Sequence, residues 1–221
     1  MKEIHIDLIT EAVAKCCISS CVVIDEDIRA AIETSKANEE KGSLAESVLD
    51  NLLKNSQIAI DKNLPICQDT GMVVVFVEIG QDCRIIGGSL ESAINKGVAQ
   101  GYKAGYLRKS VISDPLRRVN TQDNTPAVVH YNIVEGDGLK ITVSPKGFGS
   151  ENMSRIKMLK PSDGKEGIID FVLDTVIKAD SNPCPPIIVG IGIGGTFEKS
   201  ALIAKLALQR KLGLHNPDKF W

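Results

Sequence analysis

Leu64-Pro65-Ile66-Cys67-Gln68-Asp69-Thr70-Gly71-Met72-Val73-Val74-Val75-Phe76-Val77 sets a thiol and a carboxyl at the mouth of an apolar run that continues to Ile79. Val73 to Val77 is apolar at every position and rich in β-branched side chains, the pattern of a strand covered on both faces. The fold is expected to be built around it. A reduced cysteine is a small hydrophobe that normally hides in a helix or strand. Cys67 instead stands between a proline and a Gln-Asp-Thr-Gly turn. Metal ligation by Cys67, with Asp69 exchanging protons with a metal-held ligand, is the functional reading; a buried thiol beside a turn-forming Asp is the structural one.

Upstream, Leu8, Ala12, Val13, Cys16 and Cys17 recur at helical spacing. A second helix opens at Asp25 and runs to about Ser35. Ser43 and Glu46 form a capping-box pattern before Leu44, Val48, Leu49, Leu52 and Leu53, which predicts a third. The first residues, Met1 to His5, read as the start of an amphipathic segment and not as a signal peptide. Downstream, Ser89 starts a helix toward Tyr106. Ala127 to Val134 and Leu139 to Ser144 flank Glu135-Gly136-Asp137-Gly138, which predicts a β-hairpin. A helix from about Lys165 to Ala179 leads to an apolar strand, Ile187-Ile188-Val189, and Thr196 caps a last helix carrying Leu202, Leu206 and Leu208. Helices and strands mix without regular alternation. The fold class expected is α+β (irregular α/β), N-terminal helices followed by a mixed sheet with a β-hairpin and flanking helices, in one domain over residues 1–221.

Composition excludes several partners. The 221 residues carry 26 basic and 28 acidic side chains, without a block of like charge that would grip nucleic acid or anionic lipid. No apolar run reaches the roughly 18 residues that a membrane span needs. Six cysteines in a chain of this size are not a disulfide scaffold, so they read as thiols in a reducing, cytoplasmic compartment. A small, neutral-to-anionic ligand is the expectation.

Other segments bear on that ligand. Asn182-Pro183-Cys184-Pro185-Pro186 presents a second thiol from a loop stiffened by prolines, either as a rigid metal ligand or as an incidental thiol in a connector. Gly190-Ile191-Gly192-Ile193-Gly194-Gly195-Thr196 satisfies Gly-x-Gly-x-x-Gly between the expected strand and helix; it is read as a dinucleotide turn, an anion site at a helix N-terminus, or close helix packing through glycine. Lys146-Gly147-Phe148-Gly149-Ser150-Glu151-Asn152 gathers N–H groups, an ammonium and an amide suited to a dicarboxylate, and Arg108 can form a bidentate pair with a carboxylate. Asn120 to Pro126 reads as a polar loop that turns the chain into the strand at Ala127, His130 as a core histidine, and Cys16, Cys17 and Cys21 as packing residues.

Together Pro65-Ile66-Cys67-Gln68-Asp69-Thr70-Gly71, Gly105-Tyr106-Leu107-Arg108-Lys109-Ser110, Asp123-Asn124-Thr125-Pro126-Ala127, Gly149-Ser150-Glu151-Asn152-Met153-Ser154, Lys160-Pro161-Ser162-Asp163-Gly164 and Cys184-Pro185-Pro186 with Gly190 to Lys199 resemble the α subunit, or N-terminal domain, of the iron-sulfur hydro-lyases. That family comprises class I fumarate hydratase and L(+)-tartrate dehydratase, and the resemblance spans essentially the whole chain. It implies a [4Fe-4S] cluster with Cys67 and Cys184 as two of three cysteine ligands and one iron open to act as a Lewis acid. It implies Asp69 as the catalytic acid, and substrate contacts from Gln68, Asp69, Thr70, Arg108, Gly147, Gly149, Ser150, Glu151 and Asn152. The expected substrate is malate, with tartrate as the alternative; a nucleotide-dependent oxidoreductase is the reading from a different class. The expected partner is a β subunit or C-terminal domain of the same enzyme, within an oligomer, contributing the proton-abstracting base. Phe148 departs from the family's run of glycines after the lysine. The family's third cysteine lies in a downstream segment, whereas this chain stops at Phe220-Trp221 after a connector-like Asn216-Pro217-Asp218. The chain is therefore expected to be truncated, to lack one ligand and to be inactive alone; Cys16, Cys17, Cys21 and Cys83 are not expected to replace that ligand.

Overall fold

The computed structural model describes residues 2–215, 217 and 218; the chain end at Phe220-Trp221 and Asn216 of the connector-like stretch lie outside the described residues. The chain divides into two units, one running to Phe148 and the other starting at Gly149.

In the first unit the apolar run is strand β2 (Met72–Gly80), with Val73 to Val77 all buried. It is the centre of a three-stranded mixed sheet. Strand β4 (Val128–Val134) pairs with it in parallel and β5 (Leu139–Lys146) pairs antiparallel, in the order β4-β2-β5. A second, parallel pair joins β1 (Lys2–His5) to β3 (Cys83–Ile86). The N-terminal residues thus form a strand and not the start of the first helix. His5 marks the change, because its ring accepts the Asp7 N–H and caps helix α1 (Ile6–Val22).

Helix α2 (Glu26–Asn38) and helix α3 (Leu44–Lys62) follow, as the three-helix reading expects. Ser43 caps α3 by accepting the Glu46 N–H at 3.1 Å, while the Glu46 carboxylate reaches the Gly42 N–H at 2.6 Å. Helix α4 (Leu90–Ala104) opens at Ser89, whose hydroxyl accepts the Ser92 N–H. α1 and α4 lie against one face of the sheet: Ile9, Val13, Cys17 and Cys21 meet Ala93, Ile94, Val98 and Tyr102 over Val73, Val75 and Val77. The two helices cross closely because a Cβ on Gly97 or Gly101 would sit 2.7 Å from the Thr10 or Ala14 carbonyl oxygen. Each fully buried Val or Ile in this layer contributes about 1.5–3 kcal/mol of transfer free energy.

The expected hairpin does not form. β4 and β5 flank β2 and do not pair with each other. The Glu135–Gly138 loop passes over the end of β2 instead, where Gly80, Gln81 and Asp82 donate to the carbonyls of Gly138, Val134 and Gly136. The reason is burial: β2 is apolar on both faces and takes the centre, whereas β4 and β5 carry His130, Asn132, Lys140 and Lys146 and suit the edges.

The second unit holds helix α6 (Gly164–Ala179) and helix α7 (Phe197–Ala207); the one-turn helix α5 (Phe148–Glu151) spans the division. Ile187 to Val189 is not a strand. It leads into a glycine segment laid along α7, where a Cβ on Gly190 or Gly192 would fall 2.3 Å from the Ala204 oxygen or 2.1 Å from the Ser200 oxygen. Glycine contact with a helix has replaced sheet pairing. The α+β class and the mixed sheet stand. No helix among the described residues is long and apolar enough to cross a membrane.

Candidate functional site

The turn carrying Cys67 is pinned before it begins. α3 ends at Asn63 in the left-handed conformation, and the Leu64 N–H returns to the Ala59 oxygen. Ile66 donates its N–H to the Cys21 oxygen and accepts the Asn55 side-chain amide at 2.8 Å, so it is tied to both α1 and α3. Cys67 then emerges exposed. Its sulfur accepts the Asp69 N–H at 3.4 Å and donates to Gln68 Oε1 at 3.6 Å.

Asp69 is half-buried and oriented by two backbone groups. Oδ1 accepts the Gly71 N–H and Oδ2 the Phe148 N–H, each at 3.0 Å. A carboxylate has about four lone-pair positions, so this holding leaves two for a ligand. The approach depends on glycine. Gly71 has φ +58, and a Cβ there would lie 2.0 Å from the Lys146 oxygen; a Cβ on Gly147 would lie 3.1 Å from Asp69 Oδ2. Phe148, the departure from the family pattern, supplies one of the holding N–H groups through its backbone.

Thr70 is buried, and its hydroxyl donates to the Arg108 oxygen at 2.9 Å. Tyr102 donates to the Thr70 oxygen at 2.6 Å from inside the core, where burial pushes its phenol well above the ordinary tyrosine range. Arg108 itself is exposed, and its guanidinium makes no ion pair with a described residue. A hollow of about 130 Å³ is lined by Ser20, Cys21, Ile66, Cys67, Asp69, Thr70 and Pro145. That is small beside the roughly 300–1,000 Å³ of pockets for larger organic ligands.

In the second unit Cys184 is exposed, at φ +57. A Cβ on Gly149 would lie 2.7 Å from the Asn182 oxygen, so the Gly149–Asn152 turn backs onto the loop that presents this thiol. Lys205 on α7 holds both Glu151 oxygens, at 2.6 and 2.7 Å. The sequence-chosen residues therefore fall into two groups. Cys67, Gln68, Asp69, Thr70, Arg108 and Gly147 belong to the first unit, and Gly149, Ser150, Glu151, Asn152 and Cys184 to the second.

For a [4Fe-4S] cluster, the fit rests on donor chemistry. Cys67 and Cys184 are exposed free thiols, soft donors on loops that α3, β2 and the prolines hold. Of the others, Cys17 and Cys21 suit packing, while Cys16 and Cys83 are half-buried. Cys17 and Cys21 are buried, and burial pushes their thiols up to about 12 and about 11, far from the thiolate that iron requires. No three His, Cys, Asp or Glu side chains converge as a metal site among the described residues. Cys67 and Cys184 each have the donor chemistry that such a cluster requires.

The glycine motif is used up by packing. Gly190 and Gly192 abut the α7 backbone, and the Thr196 hydroxyl donates to Glu198 Oε1 at 2.7 Å, so the helix start already has its own carboxylate. The dinucleotide reading loses its physical basis. His130 is half-buried and stacks on Phe76, with ring centroids 5.4 Å apart. The polar loop reads in the sequence as a turn into the strand, with no role for Asn124 at the site, yet Asn124 is its most deeply buried member, and Tyr102, which the sequence reading does not single out, is fully buried beneath the turn. The run Asn120-Thr121-Gln122-Asp123-Asn124 was the available signal, since Asn is among the residues that adopt positive φ most readily.

The fumarate hydratase (fumerase) family profile matches residues 10–221. A Methanocaldococcus jannaschii protein provisionally named L(+)-tartrate dehydratase subunit alpha is 38% identical over 222 residues, covering 96% of this chain and 75% of its own length. The L(+)-tartrate dehydratase subunits alpha of Escherichia coli strains UTI89 and K12 are each 30% identical over 221 residues, covering 98% of this chain and 72% of theirs.

Proposed function

The chain belongs to the fumarate hydratase family, it is a hydro-lyase alpha subunit, and from that premise we propose that it serves the reversible removal of water from a 2-hydroxy dicarboxylate, malate to fumarate, together with a beta component. L(+)-tartrate is the second reading of the substrate, supported by the relatives' names. One observation carries the reaction: the Asp69 carboxyl is fixed by two backbone N–H groups beside an exposed thiol that its own N–H touches.

Dehydration breaks a C–O bond, and hydroxide is a poor leaving group. Cys67 and Cys184 would hold a [4Fe-4S] cluster, which when bound supplies Lewis acidity at the substrate hydroxyl. Asp69 delivers a proton to the departing oxygen, so that water leaves. Arg108 binds a carboxylate with its forked donors, and the exposed Gln68 amide adds a further donor. Thr70 acts through its bond to the Arg108 carbonyl. The Gly147–Asn152 turn would line the ligand, its Phe148 N–H being the one that holds Asp69. The carbon-bound proton goes to a base on the beta component.

Anaerobic reconstitution of the two-component enzyme with iron and sulfide tests this. Cys67→Ser and Cys184→Ser are expected to abolish the visible absorbance of a cluster. Asp69→Asn is expected to keep that absorbance and lower kcat by about 10²–10⁴-fold. Parent-like turnover by Asp69→Asn would remove the acid role, and a full cluster spectrum in Cys184→Ser would remove that ligand.

A further inference from the structure

Asn124 has no exposed surface, the deepest burial of any polar side chain among the described residues. Its amide joins two segments that are far apart in sequence. Oδ1 accepts the N–H groups of Ser110 at 2.7 Å and Val111 at 3.1 Å, and Nδ2 donates to the Gly71 oxygen at 3.1 Å. Gly71 lies two residues beyond Asp69 and Ser110 two beyond Arg108. The surrounding loop keeps the side chain in place. Asn120 Nδ2 donates to the Lys109 oxygen, the Thr121 N–H to the Val111 oxygen, and the Asp123 carboxylate accepts the Thr125 hydroxyl and N–H. Asn124 itself sits at φ +63, a conformation Asn adopts more readily than most residues.

An apolar side chain would fill this volume without burying an amide, but it would leave two N–H groups unpartnered and the Gly71 carbonyl with only the longer contact from the Tyr102 hydroxyl at 3.4 Å. Aspartate can accept from Ser110 and Val111, yet when ionised it cannot donate to Gly71. The site therefore demands a group with an acceptor on one side and a donor on the other. Resting on the hydro-lyase reading above, we propose that Asn124 is a positioning residue that sets the span between the Asp69 carboxyl and the Arg108 backbone, the two segments that would meet the dicarboxylate. Thr70 to the Arg108 oxygen is the parallel tie across the same gap.

The test compares the parent two-component enzyme with Asn124→Asp and Asn124→Gly, the glycine variant keeping the positive φ at no steric cost. Three quantities are measured: the melting temperature, kcat and KM per folded molecule for malate and tartrate, and amide hydrogen exchange by mass spectrometry. Expected for both variants is a loss of roughly 10–100-fold in kcat/KM, mainly in kcat, at a temperature where the variant is fully folded. Exchange is expected to rise together in peptides covering residues 67–73 and 107–112 while α1 and α4 keep parent-like protection. A kcat/KM within twofold of the parent, or faster exchange confined to residues 120–126, would overturn the proposal and leave Asn124 a loop-stabilising residue. Failure of the parent to turn over either acid would count against the hydro-lyase reading. The exchange pattern then decides the positioning role by itself, since joint loosening of the two segments supports it and loosening of the loop alone rejects it.

Discussion

At Asp69 the chain spends backbone on function. Two N–H groups hold the carboxyl, and both depend on glycine: Gly71 donates one directly, and Gly147 leaves room for the chain to approach and deliver the other from Phe148. Gly71→Ala would place a Cβ 2.0 Å from the Lys146 oxygen at φ +58. The expected cost is about 1–3 kcal/mol from the backbone conformation, increased by the clash. Thermal unfolding of the variant checks this, and a parent-like melting temperature would mean that the turn relaxes freely. The chemistry of this turn was legible because a thiol, a carboxyl and a glycine stand within five residues. What each atom faces was not. The Thr70 hydroxyl is directed at the Arg108 carbonyl, and that depends on a segment 38 residues away.

Among the elements, α2 contributes no buried residue and is attached to α3 through charge. Asp50 on α3 accepts from Lys36 on α2 at 2.5 Å and pairs with Lys54 on its own helix at 2.5 Å. The hydrogen bond from Lys36, then that from Lys54, holds the Asp50 carboxyl down to about 2. A carboxyl whose folded pKa lies below its unfolded value near about 3.9 contributes stability above that unfolded value, lost as pH falls through about 2. Asp50→Asn is expected to flatten the stability profile between those limits, and more so at low salt because the pair is half-buried and still reached by solvent. Urea unfolding at a series of pH values measures it, and a profile parallel to the parent's across that window would show that the pair does not stabilise the fold. Helices and the central strand were readable from periodicity and caps because those signals are local. The pairing of β4 and β5 was not, because two short strands beside an acidic-glycine loop are compatible with a hairpin or with a third strand between them. The long apolar strand β2 decided for the second.

Across the whole molecule, the chosen residues divide between two units, and among the described residues no three His, Cys, Asp or Glu side chains converge as a metal site. Under the proposed function, in which a beta component supplies the base, turnover is expected from this chain only with that component. A malate-to-fumarate assay of the chain alone and of the reconstituted pair tests it, and equal rates would overturn the division of labour. The sequence by itself determined the α+β class, the helix starts at Asp25, Ser43 and Ser89, the central strand and the family to which the chain belongs. These follow from side-chain order, which writes local structure and chemical identity directly into the chain. Only the tertiary structure decided that β2 separates β4 from β5, that Gly190 and Gly192 exist to admit α7, and that Asn124 bridges Gly71 to Ser110 and Val111. Each of those is a contact between segments remote in sequence. Burial selects among them, because a polar backbone removed from water must find its partner wherever the fold brings one.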